Sequence, residues 1–172
     1  MKSQFKIIVL FAFLLCNNSN AQSNSNTETF TINWPKEEGW HIVDQQNNAE
    51  QTTTMIVSLK GKETIANCSE IATTYICRGS MYVPIEKKME ELFQPLKYAQ
   101  TAKRTVIEKD EKAKHPWFIL KIEYSSESQI WYVIQGKNEL YCSLWSTYQK
   151  EITPKSQEKW VEIFKSSKIT AE

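Results

Sequence analysis

Apolar and polar residues alternate with a period of two over most of this chain, which is the pattern of half-buried β-strands. Short polar turns separate these segments, such as residues 136–138 between the last two strands. Turns this short favour antiparallel neighbours, because parallel strands need a longer crossover. The predicted strands cover residues 29–34, 40–43, 55–59, 70–77, 104–108, 116–124, 129–135 and 139–148.

Two segments have helical spacing instead. Between residues 85 and 96, apolar side chains recur three or four positions apart, which places them on one face of a helix. A second helix is predicted after Thr153, a favourable N-cap, with Pro154 in the first helical position. The predicted buried stripes are Ile85, Met89, Leu92, Phe93 and Leu96 in the first helix, and Trp160, Ile163, Phe164 and Ile169 in the second.

The strands at 117–122 and 130–134 are apolar on both faces, so each face of the sheet must be covered. We therefore predict an α+β fold in which an antiparallel β-sheet of six to eight strands is flanked by two helices, an α/β/α sandwich. A lipocalin-like barrel and a cystatin-like sheet are the alternatives. The amphipathic helix in the middle of the chain argues against the barrel.

The first 21 residues have the three parts of a secretion signal. Lys2 and Lys6 supply positive charge, residues 7–16 are an unbroken apolar run, and small residues precede a cut after Ala21. That run would rise only ~15 Å as a helix, about half of the hydrocarbon core, so we expect no stable membrane span. Acylation of Cys16 as a lipoprotein is less favoured, because Leu15 precedes it. The mature protein is expected in the periplasm or outside the cell.

After cleavage, residues 22–28 are predicted to be a disordered leader, because they are polar and featureless. Residues 29–172 have the length of a single domain. The whole chain has 21 Lys and Arg against 20 Asp and Glu. This balance gives no electrostatic reason to expect nucleic acid or an anionic membrane as a partner.

Three cysteines remain in the mature chain: Cys68, Cys77 and Cys142. Cys68 and Cys77 are poor disulfide partners, because an extended segment between them would hold their α-carbons roughly 20–30 Å apart. A bridge between Cys77 and Cys142 is open if their strands are adjacent. The favoured expectation is that all three are small buried side chains.

The chain lacks a recognisable catalytic or metal-binding motif. His41 and His115 are its two histidines, and neither has a sequence neighbour that would activate it as a base. There is no G-x-S-x-G, C-x-x-C or H-x-x-x-H sequence, and no glycine-rich loop for phosphate. We therefore predict no catalytic residue, no metal site and no cofactor.

The aromatic residues are the one excess that could mark a binding site. Tyr141 and Trp145 share a face of the last strand, with Ser143 between them. The favoured interpretation is that a helix covers this face and both rings belong to the core. The alternative is an exposed aromatic groove for a peptide, glycan or lipid, in which Tyr141 and Trp145 are the candidate ligand-binding residues.

The order of elements resembles the PsbP-like α/β/α sandwich. The resemblance rests on the segments VPIEKKMEELF, QIWYVIQGKNELYCSLWSTY and TPKSQEKWVEIF. This superfamily includes the extrinsic photosystem II protein P, the periplasmic DcrB lipoproteins and adaptor chaperones of type VI secretion effectors. The chain also resembles small secreted bacterial proteins with a W-Y-x-x-Q-G-K hairpin, and its Ala21-Gln22 junction resembles signals of the Bacteroidetes. The resemblance implies a non-enzymatic binding, assembly or adaptor role, and no functional residue is carried over.

The leading hypothesis is a non-catalytic periplasmic or secreted binding or adaptor module, with a protein or an apolar ligand of the cell envelope as its partner. An envelope-acting enzyme is the first alternative, with Glu108, Asp110 or Glu123 as the acids. An immunity or inhibitor protein is the second alternative, with the charged turn 109–115 as the segment that plugs an active site. These rankings rest on fold analogy more than on residues.

Overall fold

The computed structural model describes residues 28–79, 84–93 and 102–171. In these ranges the chain forms nine β-strands and two α-helices. The strands are β1 (Glu28–Thr31), β2 (His41–Asn47), β3 (Thr53–Leu59), β4 (Glu70–Arg78), β5 (Lys103–Asp110), β6 (Trp117–Glu123), β7 (Ser128–Gln135), β8 (Glu139–Thr147) and β9 (Lys168–Ala171). The helices are α1 (Ile85–Phe93) and α2 (Pro154–Lys165), and Lys36–Glu38 form a 3-10 turn.

Seven of the strands form one antiparallel sheet in the order β2-β3-β4-β8-β7-β6-β5. Successive hairpins connect β2, β3 and β4, and further hairpins connect β5, β6, β7 and β8. β4 pairs with β8, which joins these two groups of strands into one sheet. β1 and β9 pair antiparallel in a separate two-stranded ribbon. The predicted α+β fold with an antiparallel sheet is confirmed.

One face of the sheet, the α1 face, packs beneath α1. Ile85 supplies the described apolar contact from the helix and is buried. The side chains of Met89, Leu92 and Phe93, and all of Leu96, lie outside what the structure describes. The buried sheet residues of this face are Tyr75, Cys77, Phe118, Leu120, Ile122, Trp131, Val133, Leu140, Cys142 and Leu144.

The opposite face, the α2 face, is covered by α2 and by the β1–β9 ribbon. Trp160 and Phe164 of α2 are buried, as the helical spacing predicts. The hydroxyl of Thr153 accepts a hydrogen bond from the Ser156 N–H at 3.2 Å, so the predicted N-cap is also present. The buried sheet residues of this face are Ala72, Ile119, Ile130, Tyr132, Ile134, Tyr141 and Trp145.

The structure corrects the end of the second helix. Ile169 lies on β9, opposite Phe30 of β1, and not on the buried helical stripe. The helix ends at Lys165, and the hydroxyls of Ser166 and Ser167 beyond it donate to the Ile163 carbonyl at 2.8 and 3.2 Å. These bonds replace the backbone donors that a further turn would have supplied.

Other strand boundaries differ from the sequence prediction where edge strands are polar. β2 continues to Asn47, through residues predicted as a connection, and β5 continues to Asp110. Both strands lie at an edge of the sheet and are largely exposed. Ladder hydrogen bonds define a strand whether or not its side chains alternate, so an exposed edge needs no apolar pattern.

The predicted signal peptide at 1–21 and residues 22–27 of the predicted leader lie outside the described residues. Glu28, which the sequence analysis places at the end of that leader, is the first residue of β1. Within the three described ranges, neither α-helix has the length and apolar character needed to cross a bilayer.

Candidate binding site

The two residues singled out from the sequence, Tyr141 and Trp145, lie four positions apart on β8, on the α2 face, and are 1% and 3% exposed. Different elements cover them. Trp160 of α2 stacks on Trp145 with ring centroids 5.0 Å apart, whereas Phe30 of β1 stacks on Tyr141 at 4.9 Å. Ligand binding by these two residues remains a prediction, and in this structure other aromatic rings occupy their faces.

An ion network closes the α2 face beside Trp145. The indole N–H of Trp145 donates to Glu70 at 2.9 Å, and Lys60 bridges Glu70 and Glu38 at 2.7 and 3.0 Å. Burial alone would raise the pKa of Glu38, but hydrogen bonds from Lys159, Lys60 and Trp40 outweigh it and lower that pKa. The polar edge of this aromatic cluster is therefore satisfied within the domain.

The β1–β9 ribbon covers the other end of the cluster. Phe30 points inward between Tyr141 and Tyr132, with its ring centroid 6.4 Å from that of Tyr132. The neighbouring Thr29 and Thr31 are exposed. The Tyr141 hydroxyl donates to Glu139 at 2.5 Å, and its oxygen lies 3.3 Å from the Glu28 carbonyl. Burial and the bond to Glu139 raise the pKa of Tyr141 above its ordinary value.

The turn between β7 and β8 holds a carboxylate. The backbone N–H of Lys137 donates to both carboxylate oxygens of Glu28, at 3.0 and 2.8 Å, and the N–H of Asn138 donates to one of them at 3.3 Å. Successive N–H groups that converge in this way form an anion-binding concavity. We call these two N–H groups, together with Gly136, the hairpin site.

Gly136 gives the carboxylate room to approach the turn. A Cβ atom at this position would lie 2.5 Å from a carboxylate oxygen of Glu28 and 3.1 Å from both the Glu139 carbonyl and the Tyr141 ring. Glycine at this position therefore permits the close approach of the Glu28 carboxylate, which a larger residue would push away.

A basic cavity of about 410 Å³ lies beside the hairpin site. Exposed Lys114 and Lys137 supply positive charge at its rim, and the ring of His115 lies 3.3 Å from the Gln135 carbonyl. Positive side chains around backbone donors favour an anionic ligand. The lining residues are Glu28, Lys114, His115, Pro116, Gln135, Gly136, Lys137 and Ile169.

A second cavity, of about 510 Å³, lies at the other end of the β5–β6 hairpin. Its charges are mixed and partly paired: Glu123 lies 3.2 Å from Lys121 and 3.9 Å from Lys103. The remaining lining residues are Tyr124, Ser125, Lys150, Glu151 and Ile152. This arrangement favours no single sign of ligand charge, so the hairpin site is the better candidate.

The acids considered for an enzyme do not converge. Glu108 pairs with Lys165 at 2.7 Å, and Asp110 accepts N–H bonds from its own loop. Glu123 lies at the far end of the same hairpin, because the β5–β6 register places it opposite Lys103. Among the described residues, no group of three or more potential metal ligands is brought together.

Glu127 has a raised pKa that the sequence did not suggest. Burial raises the pKa of its carboxyl, although a hydrogen bond from Gln129 at 3.0 Å opposes the shift. The same Gln129 accepts the indole N–H of Trp131 at 2.8 Å. The chain of bonds therefore leads from Glu127 into the core of the α1 face rather than into either cavity.

Cys68, Cys77 and Cys142 are all buried, as expected. Cys68 and Cys142 have free thiols, so the bridge between Cys77 and Cys142 considered above is not formed. Burial raises the pKa of the Cys142 thiol to about 12, against the opposing effect of Lys88. A thiol in this environment is a packing residue rather than a nucleophile.

Sequence reasoning missed Glu28 and the hairpin donors as a site. The residues 136–138 do predict a turn, and converging N–H groups are common in turns. The carboxylate they bind lies 109 positions earlier in the chain, however, and no local pattern links the two.

No family model and no curated protein sequence matches this chain. A similar solved structure is that of LpqN, described as involved in cell envelope biogenesis of Mycobacterium tuberculosis. The two proteins share 14% sequence identity, with 87% of each chain covered and a TM-score of 0.47. Membership of the PsbP-like superfamily remains a prediction.

Proposed function

We propose that this protein is a non-catalytic binding module of the periplasm or the extracellular space, and that its hairpin site receives a carboxylate of a partner protein. The observation that carries the proposal is the carboxylate of Glu28, held by the N–H groups of Lys137 and Asn138. Lys114 and Lys137 line the adjoining cavity, so the site has both directional donors and positive charge.

The proposed location rests on the sequence. A signal peptide at residues 1–21 would deliver a mature chain that begins at Gln22, with residues 29–172 as one PsbP-like domain. Mass spectrometry of the mature protein from its native host tests this directly. A first residue of Gln22 supports the proposal, whereas an acylated Cys16 or an intact N-terminus contradicts it.

Glu28 competes with any external carboxylate, because it belongs to the same chain. A tethered group acts at an effective concentration in the millimolar range. A partner must therefore displace Glu28, and removing its charge should open the site. Glu28→Gln keeps the shape of the side chain while it replaces the charged acceptor with a neutral one.

The test follows the backbone amides of the hairpin site by NMR in the mature protein. In Glu28→Gln, we expect N-acetylglutamate to shift the Lys137 and Asn138 amide resonances saturably, and N-acetylglutamine to leave them in place. The wild type should need a higher concentration of N-acetylglutamate. Glu151→Gln, the same change in the second cavity, is the matched control and should behave as the wild type. Unmoved hairpin amides in every protein would refute the proposal.

A further inference from the structure

β1 lies against the α2 face as a bound peptide would, and we call the surface that it covers, formed by β9, the hairpin site, Tyr132 and Tyr141, the groove. Its acidic side chain, Glu28, enters the hairpin site, and two positions later Phe30 packs between Tyr132 and Tyr141. The intervening Thr29 points to solvent. Alternation of this kind uses side chains on one face of a strand for recognition.

Among the residues that the structure describes, β1 pairs only with β9. The two strands pair over four positions, from Glu28 opposite Ala171 to Thr31 opposite Lys168. A two-stranded ribbon of this length is marginal by itself. Its place on the domain therefore depends on side-chain contacts, which include the Glu28 carboxylate, the Phe30 ring and Ile169 of β9.

The chain after β1 is anchored independently. The amide of Asn33 donates to the Ser166 carbonyl at 2.6 Å, and Trp34 stacks on Trp40 at 5.3 Å and meets the edge of Trp160 at 6.1 Å. These contacts stay in place if residues 28–31 leave the groove. The position of the chain after β1 therefore does not depend on the contacts of residues 28–31.

We propose that β1 is an internal substitute for a partner, and that the groove it occupies binds an extended peptide segment with an acidic residue two positions before an aromatic one. This inference rests on the proposed function and names its partner. The incoming segment pairs antiparallel with β9, its carboxylate accepts from Lys137 and Asn138, and its ring takes the position of Phe30 against Tyr132 and Tyr141.

Strand replacement explains why the groove combines a strand edge on β9 with two separate side-chain sites. Backbone pairing with β9 supplies affinity without sequence preference, whereas the hairpin site and the aromatic wall select the two side chains. The rim lysines, Lys114 and Lys137, favour approach of an acidic segment over a basic one.

The test uses a fluorescein-labelled peptide with the sequence ETFTIN, that of residues 28–33, and the full mature chain. In the double variant Glu28→Gln, Phe30→Ala, the internal strand is weakened while the groove is intact. We expect fluorescence anisotropy to show binding at least about tenfold tighter than to the wild type, where the tethered β1 competes. The control peptides QTFTIN and ETATIN should each bind at least about tenfold more weakly.

Near-UV circular dichroism checks that the double variant is folded. If it is not, Thr29→Gly provides a second test, because glycine weakens the interior of a strand and leaves the side chains of Glu28 and Phe30 unchanged. Equal binding of ETFTIN to the wild type and to the folded variant, or equal binding of the three peptides, overturns the proposal.

Two further outcomes are decisive. One outcome is that N-acetylglutamate binds the hairpin site while the affinity of ETFTIN is no higher than the affinity of N-acetylglutamate. In that case the strand-replacement proposal fails and the proposed function stands. If neither binds, both fail. If light scattering after size exclusion shows a dimer that exchanges β1, the occupant is a second copy of this chain, and the partner proposed here is wrong.

Discussion

Replacing Trp145 with alanine tests whether the aromatic face is core. The side chain is 3% exposed, stacks on Trp160 at 5.0 Å and is paired across the sheet with Ala72 and Ile130. Truncation of a buried tryptophan to alanine costs about 3–5 kcal/mol. The small side chain of Ala72 cannot refill the space, so we expect a loss of about 4 kcal/mol. This is a large part of a typical total stability of about 5–15 kcal/mol.

The hydrogen bond from the Trp145 indole to Glu70 contributes less to the free energy of unfolding than its length of 2.9 Å suggests. A bond to a charged acceptor contributes about 1.5–3 kcal/mol when its loss leaves the acceptor unpaired. Here Lys60 lies 2.7 Å from Glu70 and keeps that carboxylate paired. The control Trp145→Phe retains a ring against Trp160 and loses the indole N–H, and we expect it to cost about 1–2 kcal/mol.

Urea unfolding followed by circular dichroism measures both variants. For a slope of about 2 kcal/mol/M, the alanine variant should lower the midpoint by about 2 M without changing the slope. A loss below about 1 kcal/mol for Trp145→Ala would refute the reasoning. Trp145 would then contribute little to the core, and the exposed-groove interpretation would regain support.

Three further predictions concern single groups. Burial raises the pKa of Glu127 above its ordinary value of 4.5 in the folded state, so the stability that the protonated carboxyl contributes is present below pH 4.5 and is lost as the pH rises through the folded-state pKa. Glu127→Gln should therefore raise the melting temperature at pH 7 and leave it unchanged at pH 3.5, as measured by calorimetry. The Cys142 thiol, with a pKa of about 12, should resist iodoacetamide at pH 8 until guanidinium unfolds the protein, as mass spectrometry would show. Thr153→Ala should cost about 1 kcal/mol in urea unfolding and Thr153→Ser much less, since serine keeps the hydroxyl that accepts from Ser156.

The helix at the C-terminal side illustrates what local sequence predicts well. Thr153 and Pro154 mark its start, and the spacing of Trp160 and Phe164 places both on one buried face, where the structure has them. The strands of the central hairpin, β7 and β8, are equally clear, because bulky residues line both faces between short turns. These signals are contained within a few residues, so neighbours along the chain suffice to interpret them.

Short strands with little alternation of apolar and polar residues could not be predicted from the sequence. β9 has four residues, and only Ile169 among them is both apolar and large, so the segment predicts neither strand nor helix by itself. Its partner is β1, and their contact joins residues more than 130 positions apart, as the bond from Asn33 to Ser166 also does. Short strands of this kind are specified by their partner rather than by their own sequence.

The sequence by itself determined the antiparallel α+β architecture, the cap and buried stripe of the last helix, and the assignment of Tyr141 and Trp145 to one strand face. Only the tertiary structure decided what lies over that face: α2 over Trp145, and β1, with Glu28 in the hairpin site, over Tyr141. The physical reason is the separation along the chain of the residues involved. Periodicity reports which way side chains point, whereas the partner that buries them is chosen by the path of the whole chain.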